Sequence, residues 1–257
     1  MTPTRALVTG ASSGIGETFA RRLAAAGSDL VLVARRADRL HELATDLKAD
    51  GRHIEVLPAD LTDPDDLAEV EMRLAAADQP VDFLVNNAGF GTTGAFVELP
   101  LERELEMIEL NVVSLVRLTR AAMAAMVPRG VGAIVNVSSL AGFQALPRTA
   151  TYAATKAFVT SFTEAVAEEV RASGVTIQAL CPGFTRTEFH ATNNFDMGWI
   201  PSMSWQSSEQ VVDASLRAIG RGRVVVVPGP LNRLLVAASW LTPRGLARRI
   251  VDIAVRR

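Results

Sequence analysis

Seven short apolar runs punctuate the chain, at residues 6–9, 30–34, 54–58, 83–86, 133–138, 176–181 and 224–228. Each is rich in Val, Ile or Leu and is bounded by Gly, Pro, Asn, Asp or Ser, the pattern of a buried strand. Between them, residues 15–26, 37–49, 65–77, 101–126, 152–172 and 208–219 carry apolar side chains at helical spacing. Strands that alternate with helices in this way predict an α/β architecture, a parallel sheet wrapped by helices on both faces. No internal repeat, low-complexity tract or linker divides the 257 residues, which fit one large domain with an ample core.

Composition removes several function classes. A net charge of −2 leaves no electrostatic footprint for nucleic acid. The lone Cys181 excludes an intrachain disulfide framework, and with only 3 histidines no metal site is expected. One cysteine also suits a reducing, cytoplasmic compartment. The opening residues run into a strand-like segment without a signal-peptide apolar core, and no uninterrupted apolar span of transmembrane length is expected.

The first strand leads into Thr9-Gly10-Ala11-Ser12-Ser13-Gly14-Ile15-Gly16 and then a helix. Glycines there permit a tight turn and close backbone approach to a pyrophosphate, which the amides and dipole of the helix N-terminus favour. The spacing is Gly-x3-Gly-x-Gly rather than Gly-x-Gly-x2-Gly, and a tight turn without a ligand is the plainer reading of the turn alone. The tip of the second strand faces the adenosine ribose in such a fold, and here it reads Ala34-Arg35-Arg36. No carboxylate stands ready for a ribose 2′-hydroxyl. Two guanidiniums, shaped for bidentate contact with phosphate, point instead to NADP(H). Asp60, after the third strand, could hydrogen-bond the adenine amino group or cap the helix that starts at 63–66.

Tyr152 is the only tyrosine, and Lys156 lies four residues on. On a helix the pair shares one face. An ammonium close to a phenol favours the phenolate, which predicts a lowered tyrosine pKa and proton exchange with a substrate oxygen.

With these residues in place, the chain resembles the short-chain dehydrogenase/reductase family from about Arg5 to Pro228. The resemblance rests on Thr9–Gly16, Asn86-Asn87-Ala88-Gly89, Asn136-Val137-Ser138-Ser139, Tyr152-x3-Lys156 and Pro182-Gly183-Phe184-Thr185-Arg186-Thr187, in order. It implies a Rossmann-type, doubly wound, seven-stranded parallel sheet whose members move hydride between a nicotinamide and a carbonyl or alcohol carbon. By position, Tyr152 resembles the general acid. Ser139 resembles the residue that holds the substrate oxygen, with Ser138 as the neighbouring alternative. Lys156 resembles the residue that tunes the tyrosine and binds the nicotinamide ribose, and Asn111 the helix asparagine of the proton relay. Coenzyme contacts are implied for Gly10, Ser12, Ser13, Gly14, Ile15, Gly16, Arg35, Arg36, Asp60, Leu61, Asn86, Asn87, Ala88, Gly89, Pro182, Gly183, Thr185 and Thr187, besides Asn111, Tyr152 and Lys156. Taken singly, Asn86 and Asn87 could only end a strand, and Ser138 and Ser139 could only cap the next segment.

Between Glu188 and Gln206 the chain turns apolar, with Phe189, Phe195, Met197, Trp199, Ile200, Met203 and Trp205. In the family this stretch covers the active site, and such a lining suits a bulky apolar carbonyl substrate; packing on the body or on a neighbouring subunit is the alternative. Phe143, Gln144 and Leu146 are further pocket candidates. Beyond Pro228 the chain departs from the family pattern. Residues 231–241 and 243–255 read as two helices, so 231–257 is expected to be a helical extension of a catalytic domain spanning 1–230. Arg233, Arg244, Arg248, Arg249, Arg256 and Arg257 face only Asp252 there. A packing or dimer helix is preferred over one lying on an anionic membrane. A homodimer through the Asn111 and Tyr152 helices is expected. The whole reads as an NADPH-dependent reductase of a hydrophobic ketone. The alternatives are an alcohol or hydroxysteroid dehydrogenase working oxidatively, and a coenzyme-binding sensor without turnover.

Overall fold

A computed structural model of the chain describes residues 4–48, 52–189 and 204–241. Seven strands form one sheet: β1 Arg5–Thr9, β2 Asp29–Ala34, β3 Ile54–Pro58, β4 Phe83–Asn86, β5 Gly132–Val137, β6 Val175–Leu180 and β9 Val225–Val226. Their order is β3-β2-β1-β4-β5-β6-β9, and every pair is parallel. The expected doubly wound sheet is therefore present, although of residues 224–228 only Val225 and Val226 pair as strand.

Alternate side chains of each strand enter opposite cores. On one face Ala6, Val8, Leu30 and Leu32 pack with Phe19 and Leu23 of α1 (Gly14–Ala25), Leu40, Leu43 and Leu47 of α2 (Ala37–Lys48), and Val211 and Val212. On the other, Leu7, Val31, Val33, Leu84 and Ile134 meet Leu67, Val70 and Leu74 of α3 (Pro64–Ala75) and Leu118, Ala122 and Met126. Both faces are buried, which is why these strands read as unbroken apolar runs. The strand order reverses between β1 and β4, and the crevice beyond the carboxyl ends of these two strands is where such sheets bind ligands.

Helix starts follow the local chemistry. Asp63 caps α3 by accepting from the Asp65 and Asp66 amides, with Pro64 at the first helical position. Ser207 and Gln210 form a reciprocal capping box for α7 (Ser208–Ile219).

The long helix expected at 101–126 is instead three segments: α4 (Leu101–Ile108), a π-helical stretch Glu109–Ser114, and α5 (Leu115–Arg129), which ends at Gly130 in the left-handed region (φ 68°). The continuous run of 29 residues is long and apolar enough to cross a membrane by length and composition, contrary to expectation. Here it lies on the sheet, with Leu115, Leu118, Ala122 and Met126 buried and Arg117 paired to Glu71 of α3.

A two-residue parallel ladder joins β7 (Thr185–Arg186) to β8 (Gln206–Ser207) and pins together the two ends of the apolar segment. Residues 190–203 of that segment lie outside the described residues, as does the expected helix at 243–255. The helix expected at 231–241 is α8 (Pro230–Leu241).

Candidate active site

The turn after β1 is built by its glycines. Gly10 and Gly14 have φ of 63° and 59°, where a side chain would be strained. Gly16 has ordinary backbone geometry, but a Cβ on it would lie 2.5 Å from Asn87 Nδ2 and collide with the Gly10 carbonyl. That glycine lets α1 close onto the turn. Asn87 staples the end of β4 to the same turn: its Nδ2 donates to the carbonyls of Thr9 (3.0 Å) and Gly10 (3.2 Å). Thr9 completes the junction, its hydroxyl accepting from the Asn87 and Ala88 amides at 2.9 and 3.0 Å. Ser13 precedes α1 without a side-chain cap, so its hydroxyl does not take up the first-turn amides. Thr187 closes the opposite wall, its side chain 3.0 Å from where a Gly14 Cβ would stand.

The two arginines behave differently. Arg36 donates from Nε and Nη2 to Ser12 Oγ at 3.2 and 3.1 Å, and from Nη2 to the Ser12 carbonyl at 3.2 Å. Arg35 is more exposed and lies 3.6 Å from Asp60 and 3.9 Å from Glu106. Asp60 is not the helix cap, a role taken by Asp63. It accepts from the Thr62 amide and hydroxyl, beside the buried Leu61. Burial works against its charge, but the Thr62 hydrogen bonds and Arg35 outweigh it and hold the carboxyl below its usual range.

Asn86, expected to line the coenzyme, points the other way. It is buried and donates to Thr119 Oγ1 (3.0 Å) and Asn136 Oδ1 (2.9 Å), and Asn136 donates to Thr163 Oγ1 (3.0 Å). This polar network ties β4, β5, α5 and α6 (Ala150–Glu169) inside the core.

Beyond β5, the two serines separate. Ser138 is buried and spent on α6, donating to the Lys156 carbonyl at 2.7 Å and meeting Thr160 Oγ1 at 2.7 Å. Ser139 caps the short 3-10 turn Leu140–Phe143 through the Ala141 amide (3.1 Å) and shares a hydrogen bond with the Tyr152 phenol. Ser139, not Ser138, therefore meets the tyrosine, and it caps as well.

Lys156 is buried, its Nζ donating to the Val137 carbonyl at 2.9 Å and lying 5.8 Å from the centre of the Tyr152 ring. The shared helix face is as expected, but the energetics are reversed. Tyr152 is half-buried, and burial still pushes its phenol up to about 12, against the Ser139 hydrogen bond that lowers it. Burial likewise pulls Lys156 down to about 8. The group held here is a protonated phenol.

Asn111 sits in the π-helical stretch, a feature common at functional sites. Its side chain is committed: Nδ2 donates to the Phe90 carbonyl (2.9 Å) and Thr155 Oγ1 (3.2 Å), and Oδ1 accepts the Phe90 amide (3.1 Å). It thus fixes the segment after Ala88 and Gly89, and a Cβ on Gly89 would come within 2.7 Å of Asn111 Oδ1.

After β6, the Pro182 carbonyl accepts from the Leu140 amide, and Thr185 Oγ1 donates to the Gly183 carbonyl at 3.0 Å. Asn232 of α8, which the sequence does not advertise, backs this loop. It donates to Gln206 Oε1 and the Pro228 carbonyl, both at 2.9 Å, and a Cβ on Gly183 would come within 2.6 Å of it. Phe189 brings its ring to 5.8 Å from that of Tyr152, and Trp205 packs on Phe184 at the same separation. Leu146 and Phe143 are half-buried and Gln144 is exposed.

Known proteins resemble this chain in sequence and fold. A short-chain dehydrogenase from Sphingobium yanoikuyae, solved with NADPH, is 39% identical with a TM-score of 0.83, covering 92% of this chain and 94% of that one. The bulky-bulky ketone specific alcohol dehydrogenase of Comamonas testosteroni is 37% identical with a TM-score of 0.80, covering 94% of each chain. A ketoacyl reductase of Nostoc is 30% identical over 94% of this chain and 86% of its own. Residues 4–197 match the family model described as short chain dehydrogenase. With the seven-stranded parallel sheet and a Ser139–Tyr152–Lys156 cluster beyond the carboxyl end of β5, the match makes this chain an oxidoreductase belonging to the short-chain dehydrogenase family.

Proposed function

We propose that the protein is an NADPH-dependent reductase of a hydrophobic ketone, with Tyr152 as proton donor. The observation that carries this reading is the half-buried hydroxyl pair, Tyr152 on Ser139, with the buried Lys156 behind it and the phenol held protonated. The turn suits a coenzyme: glycines at 10, 14 and 16 let its backbone pack closely against Asn87, Thr187 and the Gly10 carbonyl, and the first amides of α1 would receive the pyrophosphate together with Ser12, Ser13 and Ile15. Arg35 and Arg36 would take the 2′-phosphate, Asp60 and Leu61 the adenine. Asn87, Ala88, Gly89, Pro182, Gly183, Thr185 and Thr187 would frame the nicotinamide half. NADPH, when bound, supplies the hydride.

Ser139 and Tyr152 hold the substrate oxygen between two hydroxyl donors, where negative charge develops during reduction. Tyr152 then gives up its proton, and a phenol whose ordinary form is protonated is suited to that role. Lys156 would hold the ribose hydroxyls and would return a proton to Tyr152. The Asn111 side chain is spent on Phe90 and Thr155, so a relay water would have to be held by its main chain rather than its side chain.

Phe189 and Trp205 give the substrate side an apolar wall, and a relative described as specific for bulky-bulky ketones supports a large apolar substrate. The test is NADPH oxidation over hydrophobic ketones, quinones and 3-ketoacyl thioesters. Turnover is expected with at least one bulky ketone or thioester. Tight NADPH binding without turnover across the panel would leave the reductase reading without support and favour a sensor.

We also propose a homodimer through α4 and α6. Leu101, Leu105 and Ile108 recur along one face of α4 and are exposed, as is Phe158 of α6, which stacks on Phe162. Sedimentation velocity should give a dimer for the wild type and a monomer for Leu105→Glu combined with Phe158→Glu. A wild-type monomer at the same concentration overturns this assembly.

A further inference from the structure

Arg36 is shared between two sides of the coenzyme crevice. Besides its three bonds to Ser12 in the Gly-rich turn, its Nη1 donates to Glu188 Oε2 at 3.2 Å, and Glu188 Oε1 lies 4.0 Å from Arg39. Glu188 follows Thr187, which lies against Gly14, and precedes Phe189, whose ring lies against Tyr152. A carboxylate here presents two anionic oxygens to a guanidinium, as a phosphate monoester does. One of the two arginines read as receiving the 2′-phosphate therefore already carries an anion supplied by the chain. We propose that Glu188 is a specificity-determining residue: its carboxylate competes with the coenzyme 2′-phosphate for Arg36 and so sets how strongly the protein prefers the phosphorylated coenzyme. The proposal rests on the NADP(H) reading above. Both partners of the Arg36–Glu188 pair are well exposed, at 44% and 52%, so the competition is modest and sensitive to salt.

The experiment is calorimetric titration of the full-length chain with 2′,5′-ADP and with 5′-AMP, which differ only in the phosphate at issue. In Glu188→Gln, 2′,5′-ADP should bind about two- to fivefold more tightly, the size of an exposed ion pair. Binding of 5′-AMP should not change, and the gain should shrink at high salt. In an Arg36→Gln background the same substitution should have no effect, because the competition runs through Arg36. An unchanged affinity for 2′,5′-ADP, an equal change for both probes, or a gain that persists without Arg36 overturns the proposal. Failure of the underlying reading looks different. The wild type would then bind 2′,5′-ADP no more tightly than 5′-AMP, and the role of Glu188 would fall with it.

Discussion

Tyr152→Phe should lower kcat for ketone reduction by roughly 10³-fold or more while NADPH binds as before. The substitution removes one hydroxyl and keeps the ring that packs against Phe189. Two effects are lost together. Proton delivery to the developing alkoxide is worth about 10²–10⁴-fold, and one of the two donors to that oxygen disappears, a loss of about 10²–10³-fold on its own. The effects overlap and do not simply multiply. Folding should be nearly untouched, because Ser139 keeps its bond to the Ala141 amide when the phenol is gone, and a single hydrogen bond is worth only about 1 kcal/mol. Steady-state kinetics, a coenzyme titration and a thermal melt on the same preparation check all three parts. A loss of less than tenfold in kcat would show that the proton comes from elsewhere.

The same variant serves as the blank for a direct reading of the phenol. Tyr152 is the only tyrosine in the chain, so the phenolate absorbance near 295 nm, taken as wild type minus Tyr152→Phe, reports that residue alone. Its pKa is pushed up to about 12 by burial, against an ordinary value of 10.0. The protein without added coenzyme should therefore develop no phenolate signal through pH 10. Lys156 does not prevent this, because its own value is about 8: the amine has lost its charge before the phenol begins to ionise.

That reversal marks where the sequence stops being informative. The i, i+4 spacing located Lys156 beside Tyr152, and the separation of 5.8 Å bears it out. Spacing says nothing of enclosure, and enclosure decides the sign of both shifts. The strands were legible because burial on both faces leaves an unbroken apolar run, as in Leu30, Val31, Leu32 and Val33. The π-helical stretch at Glu109–Ser114 was not, since one added residue in a helical turn shifts the apolar spacing too little to stand out. Asn86 and Asn87 show the limit of motif reading. Neighbouring residues at a strand end face opposite ways, so one joins the core network and the other staples the Gly-rich turn. Glu188 on Arg36 and Asn232 behind Gly183 lie far apart in the chain from their partners, and no local pattern announces either contact.

Lys156→Met should cost at least about 10²-fold in kcat/KM, since it removes the group proposed to reload Tyr152 and to contact the ribose, and its effect on stability should depend on pH in a direction fixed by burial. The folded value of about 8 lies below the ordinary 10.5. Between those two values the folded chain holds a neutral amine while the unfolded chain holds an ammonium, so unfolding takes up a proton and wild-type stability rises with pH across that window. This contribution is fully present above about 10.5 and is lost as pH falls through about 8, where the ammonium must be kept buried against the Val137 carbonyl. Methionine has a similar shape and no charge to bury, so it escapes that cost at every pH, although it leaves the Val137 carbonyl without this donor. Thermal melts of both proteins without coenzyme, at pH 7 and pH 9.5, isolate the effect, because the other titrating groups are common to the two. The Tm of the wild type minus that of Lys156→Met should be more positive at pH 9.5 than at pH 7. An equal difference at both, or one that shrinks with rising pH, would mean that Lys156 stays charged in the folded chain. The lysine, rather than burial, would then set the proton affinity of Tyr152.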